Sequence, residues 1–228
     1  MKEVWELNLK NDVENLLNLL RDKSNKFKFS PTTTGATELG NELTLGFSCY
    51  ALKCQYMTGF WEKLDNNTQT EWSNYINSFQ QDHDGLPNNS YVDDTLLNFY
   101  SKKINNYSVK NSIKKILKFL KISDRRTSMD YFIDSVRAES KQAISTLYQV
   151  GFSNDKKYND FPKTESSINT YLNSLNWKKP WNAGAQYSAL CVFTSTQLDT
   201  NQKEENEAIL SNFLDKVLNN ETGFYHPN

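Results

Sequence analysis

An all-α fold is what the sequence predicts for this chain of 228 residues. Apolar residues recur at helical spacing almost throughout, and no segment keeps the period-two alternation of a strand. An aromatic–aliphatic pair also returns at intervals of roughly 45 residues, the length of a helix pair in helical repeat proteins. Its four copies are Tyr75-Ile76, Phe119-Leu120, Tyr171-Leu172 and Phe213-Leu214. We therefore expect one domain over residues 1–228, built from helical hairpins.

The elements follow from the apolar pattern in chain order. A first helix carries leucines on one face, and a loop rich in Ser, Thr, Pro and Gly runs from Ser24 to about Gly40, so that residues 1–41 form an N-terminal helix and loop. Asp93 and Asp94 suit the start of a later helix, and Gly151 suits a helix C-terminus. The further predicted helices are Leu43–Trp61, Thr68–Gln80, Asp93–Ile104, Val109–Leu120, Ser128–Val150, Thr164–Leu175, Trp181–Gln197 and Lys203–Leu218.

Two kinds of helix alternate along the chain. Val109–Leu120 has a lysine stripe opposite an apolar stripe, which is typical of an outer helix. Ala183–Phe193 has small or apolar residues around nearly its whole circumference, which predicts a buried inner helix. Alternating inner and outer helices predict an (α/α) toroid, a double ring of helical hairpins. A closed ring of six hairpins would need roughly 270 residues, so we expect the toroid to be incomplete.

The turn after one aromatic–aliphatic pair points to a family. Tyr75-Ile76 is followed, after three residues, by Gln80 and, after four more, by Gly85, and Gly223 stands at the corresponding distance in the last copy. Over about Tyr50–Phe224 this pattern resembles the repeat of the terpenoid cyclase and protein prenyltransferase superfamily, although only one copy keeps the glutamine. The resemblance implies an enzyme-like toroid that binds an extended ligand, of prenyl or glycan-lipid type, in a central cavity.

Two other functions stay open. Six-hairpin carbohydrate enzymes share the double-ring layout, and paired carboxylates across the cavity would indicate them. The other is a non-catalytic helical scaffold that binds a protein partner on its exposed face.

Neighbouring acids are the first site candidates. Squalene-type cyclases protonate their substrate with a D-x-D-D motif, in which adjacent carboxylates keep one acid protonated. This chain has Asp93 and Asp94 but lacks the first aspartate. The pair is therefore either a helix cap or part of a site.

Further candidates lie on two predicted helices. Arg137 shares a helix face with Lys141, whereas Glu139 and Gln142 lie on another. These charges form either a buried ion pair that braces neighbouring helices or a cavity mouth that contacts a phosphate or hydroxyl.

The phrase from Trp177 to Tyr187 is the most distinctive in the chain. Pro180 suits the first turn of a helix, and Gly184 would allow close approach of another helix or of a ligand. The small residues fit core packing. If a central pocket exists, Trp181, Gln186 and Tyr187 are the groups expected to line it.

The sequence predicts neither a metal nor a cofactor. None of the three cysteines has an aspartate two positions earlier, as the prenyltransferase zinc site requires, and the chain has only two histidines. The segment Gln81–Gly85 lacks the acids of a calcium-binding loop at the required places and reads as a turn. No nucleotide-binding or serine-hydrolase motif occurs.

Composition limits the partners. The formal net charge is -1 and the sequence pI is about 6.2, so nucleic acid is not an expected partner. No apolar stretch approaches the ~18 to 20 residues of a membrane span, and acids interrupt the N-terminus where a secretion signal would be apolar. Three cysteines without a CxxC pair favour a reducing compartment. We expect a cytoplasmic protein with a small-molecule, lipid, glycan or protein partner.

Overall fold

A computed structural model of the chain describes residues 4–106 and 127–223. In these two stretches the protein forms nine α-helices, one 3-10 helix and a pair of two-residue strands, which confirms the all-α fold class. The chain groups into two compact units, Met1–Lys156 and Lys157–Asn228. The single domain over 1–228 and the toroid stay predictions.

The first unit contains six of these helices. They are α1 (Val4–Leu20), α2 (Glu38–Glu42), α3 (Leu45–Thr58), α4 (Asn66–Asn77), α5 (Asp94–Asn106) and α6 (Ser128–Gln149), with the 3-10 helix Trp61–Lys63 before α4 and the strands β1 (Gln80–Gln81) and β2 (Ser90–Tyr91) after it. The strands pair antiparallel, with Gln80 opposite Tyr91. Two residues are too few to leave an alternating pattern in the sequence.

Helices α3 and α6 form the centre of this unit. Leu45 and Leu52 on α3 and Ile144 and Leu147 on α6 are fully buried. The β2 strand is fixed to α6 because the Tyr91 N–H donates to the Ser140 hydroxyl over 2.9 Å. This packing holds the polar residues of α3 and α6 in defined positions beside the core.

An aromatic group holds the long loop after α1. The Phe29 ring stacks on Trp72 of α4 with centroids 5.6 Å apart, and the Phe27 ring stacks on the same indole at 5.5 Å. The Trp72 indole N–H donates to the Ser48 hydroxyl of α3 over 2.9 Å. The loop predicted from composition is therefore tied to the core at two of its residues.

The second unit contains α7 (Glu165–Ser174), α8 (Pro180–Gln197) and α9 (Thr200–Val217). Their shared core is made by Ile168, Leu172, Ala183, Leu190, Leu210 and Phe213. Pro180 occupies the first turn of α8, as predicted.

The prediction of a buried inner helix at Ala183–Phe193 is wrong. Only Ala183, Leu190 and Phe193 of this stretch are buried, and no atom lies within 4 Å of the Cβ position at Gly184. The small residues would permit another helix to pack closely, but no atom of the described residues approaches Gly184 in that way. Gly184 is therefore not at a tight helix crossing.

The glycines of the first and last copies of the repeated phrase both lie in turns, but their equivalence in a ring of hairpins stays a prediction. Gly85 and Gly223 both adopt positive φ, at 78° and 70°. The first copy continues into the β1–β2 pair, however, whereas the last follows the end of α9. The second copy, with Phe119, and the predicted outer helix Val109–Leu120 lie outside the described residues.

Candidate functional site

The eight site residues predicted from sequence divide between the two units. Asp93, Asp94, Arg137, Glu139 and Gln142 belong to the first unit, and Trp181, Gln186 and Tyr187 belong to the second. The one cavity that was expected to hold residues of both groups stays a prediction.

Asp93 is a helix cap with partners on two helices. One carboxylate oxygen, Oδ1, accepts from the N–H of Thr95 in α5 over 3.0 Å. The other, Oδ2, accepts from the N–H groups of Thr44 and Leu45 at the start of α3, over 2.7 and 3.0 Å, and from the Thr44 hydroxyl over 2.9 Å. Asp94 is exposed in the first turn of α5. The cap interpretation is confirmed for Asp93.

Glu139 is the unusual acid of the first unit. Its Oε2 atom is shielded from solvent and has no hydrogen-bond partner among the described residues. Burial raises the pKa of this carboxyl from its usual 4.5 to about 7, and the charge of Asp93 raises it further in the same direction. A carboxyl with a pKa near neutrality can give or take a proton at cellular pH.

Glu139 faces helix α3 at a glycine. A Cβ atom on Gly46 would lie 3.9 Å from Glu139 Oε1, so the absence of a side chain leaves the carboxyl next to bare backbone. Gln142 follows one turn later on α6, and its Nε2 atom is also buried with no partner in the described part of the chain. Within the described residues, two polar atoms on one face of α6 thus have no protein partner.

We call the contact between these helices the α3–α6 seam. It joins Gly46, Cys49 and Lys53 on α3 to Glu139, Ser145 and Thr146 on α6. We include Gln142, which lies between Glu139 and Thr146 on the same face of α6. The Lys53 ammonium donates to the Ser145 hydroxyl over 3.1 Å. Burial lowers the Lys53 pKa. Burial also raises the pKa of the Cys49 thiol to about 12, which makes it an unreactive core group rather than a nucleophile.

Two exposed apolar side chains flank the seam. Tyr50 and Met57 are seven residues apart on α3, and they follow Gly46 along the same side of the helix. Their exposed fractions are 58% and 70%. The polar end of the seam is at Gly46. We call Tyr50 and Met57 the apolar stripe; they lie about 10 Å apart along α3, at 1.5 Å of rise per residue, with Lys53 of the seam between them.

Arg137 is close to an acid on its own helix. Its Nη1 atom is 4.0 Å from Asp134 Oδ1, and both side chains are about one-third exposed. This pair lies within α6, three residues apart, and both interpretations of the charges on this helix stay predictions. Such an exposed pair contributes little to stability.

The second unit's candidates differ in exposure. Trp181 is 88% exposed, and Gln186 is half-buried. The Tyr187 hydroxyl donates to the carbonyl of Leu210 over 3.0 Å, and its ring packs edge-on against Trp177. Tyr187 therefore joins α8 to α9.

Sequence reasoning found Glu139 and Gln142 but missed their surroundings. Gly46 and Lys53 belong to the seam and Tyr50 flanks it, and none of them was a predicted site residue. The signal present in the sequence was the run of small residues Gly46, Ser48, Cys49 and Ala51 within a helix, which indicates close approach of a second helix.

Other site types have less support. Among residues 4–106 and 127–223, no three His, Cys, Asp or Glu side chains group as metal ligands would. No helix in those same stretches has both the length and the apolarity needed to cross a bilayer. Comparisons with protein-family models, with curated proteins and with solved structures found no match to this chain.

Proposed function

We propose that the chain is an enzyme-like helical protein that binds an extended ligand with a polar head and an apolar tail, and that Glu139 is its proton-transferring group. The observation that carries the proposal is the Glu139 carboxyl, buried at Oε2 without a partner and beside the charge of Asp93. Prenyl and glycan-lipid compounds have this form. The resemblance to terpenoid cyclases and prenyltransferases, and the incomplete toroid, belong to the same proposal.

The chemistry follows from the two carboxyls. Asp93 is held by donors from two helices, so its position relative to Glu139 is set by the fold. Its negative charge opposes ionisation of Glu139, which is the arrangement by which paired carboxyls divide acid and base roles. Glu139 would protonate, or take a proton from, a ligand group that reaches Oε2.

The exposed side chains of the apolar stripe indicate that the ligand has an apolar tail. Tyr50 and Met57 are exposed beside the polar end of the seam, and burying them against a hydrocarbon chain would remove apolar surface from water. A short polar ligand would leave them exposed. The stripe therefore favours an amphiphile over a free sugar.

The test is a binding titration by NMR of the full chain with geraniol, a prenyl alcohol, and with octyl glucoside, a glycan-lipid mimic, below its micelle concentration. At least one should shift the amide signals of Gly46, Glu139 and Gln142 saturably. Tyr50→Ala should weaken that binding about tenfold or more, because aromatic surface is lost at the contact. Leu19→Ala, at an equally exposed apolar residue on α1, is the matched control. No saturable shift with either probe would overturn the proposal.

A second candidate, the protein-binding scaffold, is favoured by one observation. Leu9, Leu16 and Leu19 lie on one side of α1 and are 53%, 49% and 73% exposed. Exposed apolar stripes of this kind mark interaction surfaces.

The scaffold is tested by a photo-crosslinker placed at Leu19, with one at the exposed Asn11 as the control on another face of α1. If the chain is a scaffold, the crosslinker at position 19 should give one defined crosslinked protein product. Leu16→Asp should abolish that product. Equal products from both positions would contradict it.

A further inference from the structure

Two unpartnered polar atoms lie one turn apart in the α3–α6 seam. Glu139 Oε2 and Gln142 Nε2 are both buried, and neither has a hydrogen-bond partner among the described residues. A buried polar group without a partner costs about 1 to 3 kcal/mol, so both atoms favour occupation of this position by a polar group from outside the protein.

We infer that the polar head which these two residues recognise is a hydroxyl group, so that the ligand of the proposed function is an alcohol or a glycoside. The inference rests on the proposed function and names its substrate class. Residues three apart on a helix have Cβ atoms about 5 to 6 Å apart, which allows a single oxygen atom to reach both polar groups.

The hydroxyl is chosen because of what each partner requires. Gln142 Nε2 carries only N–H groups and must donate. An ionised Glu139 carboxylate can only accept. A hydroxyl oxygen accepts from Gln142 while its own hydrogen is donated to Glu139, whereas a carbonyl or ether oxygen satisfies Gln142 alone. A phosphate would bring a negative charge next to Asp93 and Glu139, which is unfavourable.

The matched probes are geraniol and geranyl methyl ether, which share the apolar chain and the oxygen but differ in the hydroxyl hydrogen. They are titrated into the full chain by NMR at pH 8, above the pKa of Glu139 at about 7. The titratable groups that interact electrostatically with Glu139 are Asp93, before α5, and Cys49 on α3. We expect geraniol to bind about tenfold more tightly than the ether, the effect of one hydrogen bond to a charged group.

Two variants on α6 check the assignment. Gln142→Leu should lower the affinity for geraniol about tenfold, because the donor is lost. Gln149→Leu, which alters an exposed residue near the end of the same helix, should leave it unchanged. Because Gln142→Leu removes an unsatisfied amide, we expect the variant to fold. If Gln142→Leu fails to fold, the ratio of the affinities for the alcohol and the ether still tests the inference, because it is measured on the parent chain.

The outcomes separate the two proposals. Equal binding of geraniol and its ether by the parent would overturn the hydroxyl assignment and leave the proposed function standing. If neither geraniol, nor its ether, nor octyl glucoside binds, both proposals are overturned. If the parent binds the alcohol more tightly than the ether, and Gln142→Leu removes the tight binding of the alcohol, both proposals are supported.

Discussion

The Asp93 carboxylate accepts hydrogen bonds from both the N–H and the hydroxyl of Thr44, over 2.7 and 2.9 Å, so a residue that begins α5 also caps the start of α3. The contact spans 49 residues of sequence. The Thr44 side chain also bonds with the Tyr75 side chain of α4, whose pKa is raised mainly by burial. One carboxylate thus caps the starts of two helices, and its negative charge also acts on Glu139.

Replacing Asp93 should therefore destabilise the first unit. Asp93→Ala removes four accepted hydrogen bonds and leaves the N–H of Leu45, a fully buried residue, without its partner. We expect a loss of about 3 kcal/mol in the free energy of unfolding, measured by urea denaturation. Asp94→Asn, at the exposed neighbour, should change it by less than about 0.5 kcal/mol. Similar effects of both variants would show that the double cap contributes nothing.

Glu139 should make stability depend on pH. Its folded pKa of about 7 lies above the usual 4.5, so the folded state holds the proton more tightly than the unfolded state does. The contribution is fully present below about pH 4.5 and is lost as pH rises through about 7. Glu139→Gln, which resembles the protonated carboxyl, should gain stability relative to the parent between pH 5 and pH 8, by up to about 3 kcal/mol.

The measurement for Glu139 is a set of urea denaturation curves at pH 5, 6, 7 and 8. Glu62→Gln, at an exposed acid of the same unit, is the control and should track the parent. Taking the difference between variant and parent removes the titration of other groups. A constant difference across the range would mean that Glu139 has an ordinary pKa.

The helices were predictable because their signals are local. Asp93 and Pro180 mark helix starts, and Gly151, with φ 82°, marks the end of α6 through its own backbone preference. Apolar spacing does the rest: for the predicted helices that lie within the described residues, the ends agree with the observed ones within a few residues, whereas the short helix α2 was not predicted. Such signals depend on neighbours in the sequence, which the chain displays directly.

The site was less predictable because its parts are distant in sequence. Glu139 and Gln142 share a helix face by spacing alone, but their burial next to Gly46 depends on how α3 and α6 pack. The same limit explains the error at Gly184, since small residues permit a close crossing without requiring one. The capping of α3 by Asp93 is likewise a long-range contact that no local pattern announces.

Gly184→Ala should stabilise the protein. Gly184 lies within α8, and a Cβ there would meet no atom within 4 Å. Alanine lowers the backbone entropy of the unfolded chain and favours helix, so we expect a gain of about 0.5 to 1 kcal/mol in thermal or urea unfolding. Gly59→Ala is the contrasting variant, because Gly59 ends α3 at φ 76° and should lose about 1 kcal/mol. A loss of stability in Gly184→Ala would indicate that Gly184 does lie at a tight helix crossing.

The two tryptophans around Pro180 should differ in their effect on stability. The Trp177 indole donates to the Leu172 carbonyl over 2.9 Å and packs on Phe213, so Trp177→Ala should lose about 2 to 4 kcal/mol. Trp181 is 88% exposed, so Trp181→Ala should keep the helical circular dichroism and melt within about 0.5 kcal/mol of the parent. The predicted role of Trp181 in ligand binding is tested with the same variant, since its fold is intact. Unfolding by Trp181→Ala would contradict both expectations.

Gln80 should be a structural anchor for the segment after α6. Its Oε1 atom accepts from the Lys156 N–H over 2.9 Å, and its Nε2 donates to the carbonyls of Lys156 and Asn89 over 2.6 and 2.9 Å. The Gln80 side chain therefore satisfies the backbone N–H and carbonyl of Lys156, as a neighbouring strand would in a sheet. Gln80→Ala should cost about 2 to 3 kcal/mol and expose the Lys156 amide to hydrogen exchange.

Gln81 supplies the matched control for this prediction. It is exposed, pairs with Ser90 in the same strand register, and makes one side-chain bond, to the Ser78 carbonyl over 3.1 Å. Gln81→Ala should change stability by less than about 0.5 kcal/mol and leave the Lys156 amide protected. If the Lys156 amide stays equally protected in Gln80→Ala, the side chain is not what holds that segment.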